Sequence, residues 1–227
     1  MSELRLDQLD RDGALREAAA ALPASTRRAF LARAGLGAGA ALAVGLGLAE
    51  SARGQGNGDV GIINFALTLE YVQAGFYTDA ERIGALSGVA ARAAAQIGSV
   101  ERAHVEALKA ALGNQAVARP TFDFQGTTAD GDAFLRTAVA FEDLGTAAYK
   151  GQLTELQSKD FLAAALSIHS VEARHAAWIR YLAAKPPAAS AFDEPVTRAK
   201  AEDIVASTGF IVAAPATQSD RRPSFTG

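Results

Sequence analysis

The sequence predicts an all-α fold: a four-helix bundle with one long crossover between the second and third helices, followed by a short C-terminal helix. Three observations carry this expectation. Four segments repeat core-type residues in alternating steps of three and four, the spacing of one face of a helix. The links within the first pair and within the last pair of segments are short, as in antiparallel hairpins. The link between the pairs is long, and it contains Pro120 and Gly126.

The first stripe is Ile63, Ala66, Glu70, Gln73 and Tyr77, in a helix expected over 59–83. The second is Ile97, Glu101, His104 and Leu108, in a helix over 87–113. Leu135, Ala138, Glu142, Gly145 and Tyr149 mark a third helix over 129–157. Phe161, Ala165, Ile168, Glu172, His175, Ile179 and Leu182 mark a fourth over 159–184, which Pro186-Pro187 stops. A helix of ~25 residues is about 37 Å long. A connector such as that from Gly113 to Asp130 reaches roughly 50 Å when extended, enough to cross the bundle and set helices two and three parallel. Residues 195–207 predict the short fifth helix, closed by Gly209, with Val196, Ile204 and Val205 turned to the bundle. Residues 214–227 are expected to form a disordered tail.

Composition narrows the function. The chain has 227 residues, 49% of them hydrophobic, and a net charge of −3, which suits one soluble domain with a full core. So even a charge offers no electrostatic footprint for nucleic acid. Cysteine is absent, which excludes disulfides, thiolate metal sites, a cysteine nucleophile and a lipidated cysteine anchor.

The N-terminal residues 1–52 have the character of a targeting segment, leaving 53–213 for the bundle and its C-terminal extension. Ser25-Thr26-Arg27-Arg28-Ala29-Phe30-Leu31 is followed by an uncharged stretch, Ala34 to Ala49, and by small residues at Ser51 and Ala52. The arrangement resembles a twin-arginine (Tat) export signal. That resemblance implies passage through the Tat translocase in the folded state and an extracytoplasmic location, in the periplasm or at the cell exterior.

Four glutamates and two histidines occupy stripe positions where a bundle would place Leu or Ile. A buried unpaired carboxylate costs several kcal/mol or changes its protonation state, and four converging carboxylates repel one another. Two divalent cations would balance their four charges, with two neutral imidazoles completing the donor set. The spacing agrees. Ser99-Val100-Glu101-Arg102-Ala103-His104 and Ser170-Val171-Glu172-Ala173-Arg174-His175 share the pattern Ser-Val-Glu-x-x-His, in which Glu and His point the same way. Glu70 and Glu142 come singly from the other two helices. One glutamate from each of two helices and Glu-x-x-His from each of the others is a di-metal carboxylate pattern. The halves also repeat. Ala66, Glu70 and Tyr77 match Ala138, Glu142 and Tyr149, and the step from Glu70 to Glu101 is 31 residues against 30 from Glu142 to Glu172.

This pattern resembles the ferritin-like superfamily over about 59–184, and with the N-terminal segment it is similar to the bacterial Tat-exported ferritin-like domain proteins, some of them desiccation- or stress-related. The resemblance implies Glu70, Glu101, His104, Glu142, Glu172 and His175 as ligands to two metal ions, with Glu101 and Glu172 bridging. Hard oxygen and borderline nitrogen donors suit iron or manganese. Ferritin-like proteins include iron-storing ferritins, manganese catalases, rubrerythrin-like peroxidases and di-iron oxidases. The absence of a rubredoxin-type cysteine module argues against rubrerythrin proper.

Around the ligands, Tyr77, Tyr149 and Gln73 are candidates to hydrogen-bond near the metals, the tyrosines alternatively serving as core aromatics. Gln73 has Gly145 as its repeat counterpart and so breaks the symmetry. His169 is expected to be structural or at the surface, Arg102 and Arg174 to form ion pairs, and Trp178 to pack. Three functions remain open: a redox enzyme acting on oxygen or peroxide as a small oxidant, an iron-binding or storage protein with ferroxidase activity, and a non-catalytic stress protein whose metals only stabilise the bundle. A homo-oligomer is compatible with all three.

Overall fold

The computed structural model describes residues 57–213. The segment 1–52 expected to be an export signal and the expected tail 214–227 lie outside the described residues. Helices α1 (Asn57–Ile83), α2 (Gly88–Leu112), α3 (Gly131–Leu153) and α4 (Lys159–Leu182) form the bundle, and α5 (Arg198–Thr208) packs on α3. A 3₁₀ turn at Gly113–Gln115 and two short strands, β1 (Thr121–Phe122) and β2 (Ile211–Ala213), complete the elements. Each bundle helix packs on two others: α1 on α2 and α3, and α4 on α3 and α2.

Helix starts follow local chemistry. Asp130 accepts a hydrogen bond from the Ala133 amide at the start of α3, and Ser158 accepts one from Phe161 at the start of α4. Both satisfy backbone donors that the first turn of a helix leaves unpaired. Gly209 ends α5 in the left-handed region, φ 67°, where glycine carries no Cβ penalty. The third helix is shorter at both ends than the sequence pattern suggests, because Asp130 caps its start and a turn at Thr154 and Glu155 precedes the Ser158 cap.

The middle link crosses the bundle along α1. Near the start of α1, Asn64 Nδ2 donates to the Gln115 carbonyl, and Asn64 Oδ1 accepts from the Val117 amide. Farther along, the Tyr71 hydroxyl donates to the Val117 carbonyl. Phe122 then lies against Gly75, where an added Cβ would stand only 2.9 Å from its ring. At the far end the Thr128 hydroxyl donates to Asp79. The connector has therefore travelled from the N-terminal to the C-terminal part of α1, and α3 starts at the end where α2 starts. Helices α2 and α3 run parallel.

Two core clusters fill the bundle on either side of its middle. One is centred on Phe76, Phe134 and Phe141 with Phe124 and Phe210, and the other on Leu67, Leu108, Leu112 and Phe161. On α3 the core position belongs to Phe134, while Leu135 and, on α4, Leu182 are half-buried. Between the clusters lies a belt of polar side chains.

The sequence gives no sign of the antiparallel β1–β2 ribbon, which pairs Thr121 with Ala213 and Phe122 with Ile211. It fastens the crossover to the segment after α5.

Candidate metal centre

All four bundle helices send acidic side chains into that belt. Glu70 (α1), Glu101 (α2), Glu142 (α3) and Glu172 (α4) are each 0% exposed, and His104 and His175 are 8% and 7% exposed. The six predicted residues come together. Donor atoms of Glu70, Glu101, His104 and Glu172 lie within 4.8 Å of one another, as do those of Glu101, Glu142, Glu172 and His175. Glu101 and Glu172 belong to both groups. Each is on a Glu-x-x-His turn, so the same helical step that aligns it with its own histidine also points it at the axis between α2 and α4.

The distances separate the roles of the two shared carboxylates. Glu101 Oε2 is 3.2 Å from His104 Nδ1 and its Oε1 is 2.7 Å from His175 Nδ1, so it offers one oxygen to each group. Glu172 turns the single atom Oε1 to both, 3.1 Å from His104 Nδ1 and 4.0 Å from His175 Nδ1. Glu70 Oε2 lies 3.3 Å from His104 Nδ1, and Glu142 Oε2 lies 3.6 Å from His175 Nδ1. The imidazole centroids are 6.3 Å apart. Since only the histidines keep some exposure, solvent lies nearest on their side, between α2 and α4.

Behind the glutamates stands a ring of hydrogen-bond donors. The tyrosine contacts are crossed: the Tyr77 hydroxyl of α1 donates to Glu142 Oε1 of α3 at 2.5 Å, and the Tyr149 hydroxyl of α3 donates to Glu70 Oε1 of α1 at 2.7 Å. Each tyrosine thus serves the glutamate of the opposite repeat. Burial, reinforced by the adjacent carboxylates, pushes both phenols well above their ordinary value, so they stay protonated donors. Gln73 Nε2 donates to Glu172 Oε2 at 3.1 Å and to Glu142 Oε2 at 3.3 Å.

Electrostatics show what the cluster lacks. Burial raises Glu70 to about 7, although the His104 imidazole opposes the rise. Burial also raises Glu142 to about 7, although the nearby His175 imidazole opposes the rise. Glu172 is raised by burial and by the nearby Glu70. Burial disfavours charge on the imidazoles, yet the carboxylates outweigh it: Glu70, Glu101 and Glu172 hold His104 above the usual histidine range, and Glu101 and Glu142 raise His175 to about 10. Without cations, protons take up the excess negative charge. Glu70 Oε2, Glu101 Oε1, Glu172 Oε1 and His175 Nδ1 are buried with no hydrogen-bond partner, an arrangement that native interiors rarely tolerate. These four atoms belong to residues of the two donor groups, so the residues fit a pair of cations. The buried Glu and His groups are compatible with a dinuclear metal site.

The weaker candidates fall elsewhere. His169 is outside both groups, and burial lowers its pKa. Arg102 pairs with Glu81 at 3.0 Å, Arg174 is exposed, and Trp178 is 37% exposed. Sequence reasoning missed Asp59, 3% exposed, which accepts hydrogen bonds from the Gln157 and Ser158 amides and ties α1 to the α3–α4 turn. An aspartate in the first turn of a helix reads as an ordinary favourable charge there, so its long-range partners left no signal. Sequence reasoning also missed the pairing of Arg180 with Asp143 through two bonds, 2.7 and 2.8 Å.

A search of curated proteins finds no match. The ferritin-like domain model matches residues 58–185, which span α1 to α4 and hold all six residues of the cluster, and the chain belongs to the ferritin-like domain family.

Proposed function

We propose that the chain is an exported dinuclear carboxylate protein that uses two iron or manganese ions for redox handling of oxygen, peroxide or ferrous iron. The observation that carries this reading is the sharing of Glu101 and Glu172 between two donor groups, because shared carboxylates keep two cations adjacent. Glu70 and His104 would complete one position and Glu142 and His175 the other. Such a pair supplies two redox-active centres that act together on a small oxidant.

The protein's own residues set the conditions. Tyr77 and Tyr149 fix the rotamers of Glu142 and Glu70 and hold their outer oxygens away from the centre. The apolar clusters on either side exclude bulk water, which strengthens the electrostatic hold on the ions. The histidine side gives a small oxidant its shortest approach. Arg27-Arg28 suits export of a folded protein, which lets iron or manganese be loaded before the chain meets copper and zinc, both of which bind such sites more tightly. The stress-related setting rests on the resemblance to Tat-exported relatives.

Metal analysis and activity of protein exported by its native host test the reading. The expected result is about two iron or manganese ions per chain, the usual complement of a two-metal site, with peroxide consumption or ferrous oxidation. Iron uptake far beyond that ratio would mark a storage protein, and a loaded but inert protein would mark a structural metal site. Replacing Arg27 and Arg28 by lysine should leave precursor in the cytoplasm, and undiminished export of that variant would remove the Tat assignment.

A further inference from the structure

The two halves of the bundle repeat closely at the glutamates and tyrosines, but three residues after the single glutamate they part. Helix α1 has Gln73 and α3 has Gly145. The two positions meet across the centre. A Cβ built on Gly145 would stand 3.0 Å from Glu172 Oε2, 3.2 Å from Gln73 Oε1 and 3.3 Å from Gln73 Nε2. There is room for one amide between α1 and α3, and Gly145 vacates the space that Gln73 fills.

That amide acts on one side only. Gln73 Nε2 donates to Glu142 Oε2 and Glu172 Oε2, and Gln73 is 3% exposed. Glu142 therefore has both oxygens engaged, one by Tyr77 and one by Gln73, whereas Glu70 has Tyr149 on one oxygen and on Oε2 no hydrogen bond, only the His104 ring 3.3 Å away. Glu172 has Oε2 tied to the amide and only Oε1 facing the histidines, while Glu101 directs one oxygen to each. The asymmetry of the carboxylates follows the asymmetry of the Gln73–Gly145 pair.

The geometry points to Gln73 as a positioning residue that would make the two metal positions inequivalent: it orients Glu142, which belongs to the His175 group alone, and ties Glu172 Oε2 so that Oε1 is left to face both histidines. This inference rests on the two-metal reading above. Hydrogen-bond partners of metal ligands fix ligand orientation, and their loss typically costs about 10–100-fold in metal affinity. Here that loss should fall mainly on the His175 position, since of the two carboxylates Gln73 donates to, Glu142 belongs to that group alone and Glu172 is shared.

The test is Mn(II) titration of the full chain, wild type and Gln73→Met, followed by electron paramagnetic resonance of the fully loaded protein. Methionine keeps the volume and removes the donor. The expected result is one binding step weakened about tenfold or more and the other weakened less. The signal of the coupled metal pair should also change, because Glu172 Oε2 is then released from the amide. Gly145→Ala keeps the amide but presses on Glu172 Oε2, so it should weaken the same step, and it decides the matter if Gln73→Met fails to fold. Two steps that are unchanged or weaken equally, with an unaltered pair signal, would overturn the role of Gln73 and leave the two-metal reading standing. A wild-type chain that takes up no Mn(II) would overturn both.

Discussion

Removing the metals should reverse the usual dependence of stability on pH. Glu142 has a folded pKa of about 7 against an ordinary value of 4.5, so the folded metal-free protein binds protons that the unfolded chain releases. Stability from this group is complete below about pH 4.5 and is lost as pH rises toward 7. Between pH 5 and pH 8 the loss is about 2–3 kcal/mol at 1.36 kcal/mol per unit, a fall in Tm of about 5–10 °C for a domain of this size. Glu70 acts in the same direction. So does His175, whose folded value of about 10 keeps it charged where the unfolded chain has become neutral. His169, lowered by burial, acts in the opposite direction. The assay is thermal melting of chelator-treated and metal-reconstituted protein across that range. Metal-free protein should melt lower as pH rises. In the reconstituted protein cations replace the protons, so it should gain relative to the metal-free form. Glu142→Gln removes one ionisable carboxyl and keeps an acceptor for Tyr77, so it should flatten the metal-free slope. A metal-free Tm that stays level or climbs from pH 5 to pH 8 would show that the carboxylates are not crowded in a water-poor core, and the argument for cations would lose its basis.

Three further outcomes follow from particular contacts. Glu101→Ala removes a member of both donor groups and should abolish binding of both ions, whereas Glu70→Ala should leave one position able to bind; metal content per chain distinguishes them. Tyr77→Phe leaves Glu142 Oε1 buried without its donor and should cost about 1–3 kcal/mol, read by denaturant unfolding of the metal-free protein. Gly98→Ala places a Cβ 2.8 Å from Tyr77 Cβ and against the Glu81 carboxylate where α2 approaches α1; overpacking of about 1–3 kcal/mol is expected, visible as a lower Tm with unchanged metal stoichiometry.

The bundle was legible because its helices are long and their stripes regular. The polar members of those stripes stood out because apolar residues were expected there, and two Glu-x-x-His turns at matched distances from single glutamates fixed which residues meet. The crossing of the tyrosine contacts was not legible. Spacing relates Tyr77 to Glu70 on its own helix, and only the packing of α1 against α3 brings Tyr77 to Glu142. Gln73 showed in the repeat as a broken symmetry, but its partners depend on the space left by Gly145. Strands of two and three residues carry no periodicity, so the ribbon between Thr121-Phe122 and Ile211-Ala213 had no pattern to betray it, and neither did the long-range bonds of Asp59.

That ribbon bears on the order in which the chain can assemble. The α1–α2 hairpin joins near neighbours in sequence and can form early, whereas the strap over α1 is secured by residues about ninety positions further along, after α5. Contacts between distant residues must wait for a large entropic cost to be offset by the rest of the fold, and during synthesis the N-terminal part is made first. Of the described elements, the last to be made is then the one that locks the crossover in place. A truncation after Glu194 would remove α5 and β2 while sparing every residue of the Glu/His cluster, and its visible injury would be protease cleavage between Ala116 and Ala129, far from the cut.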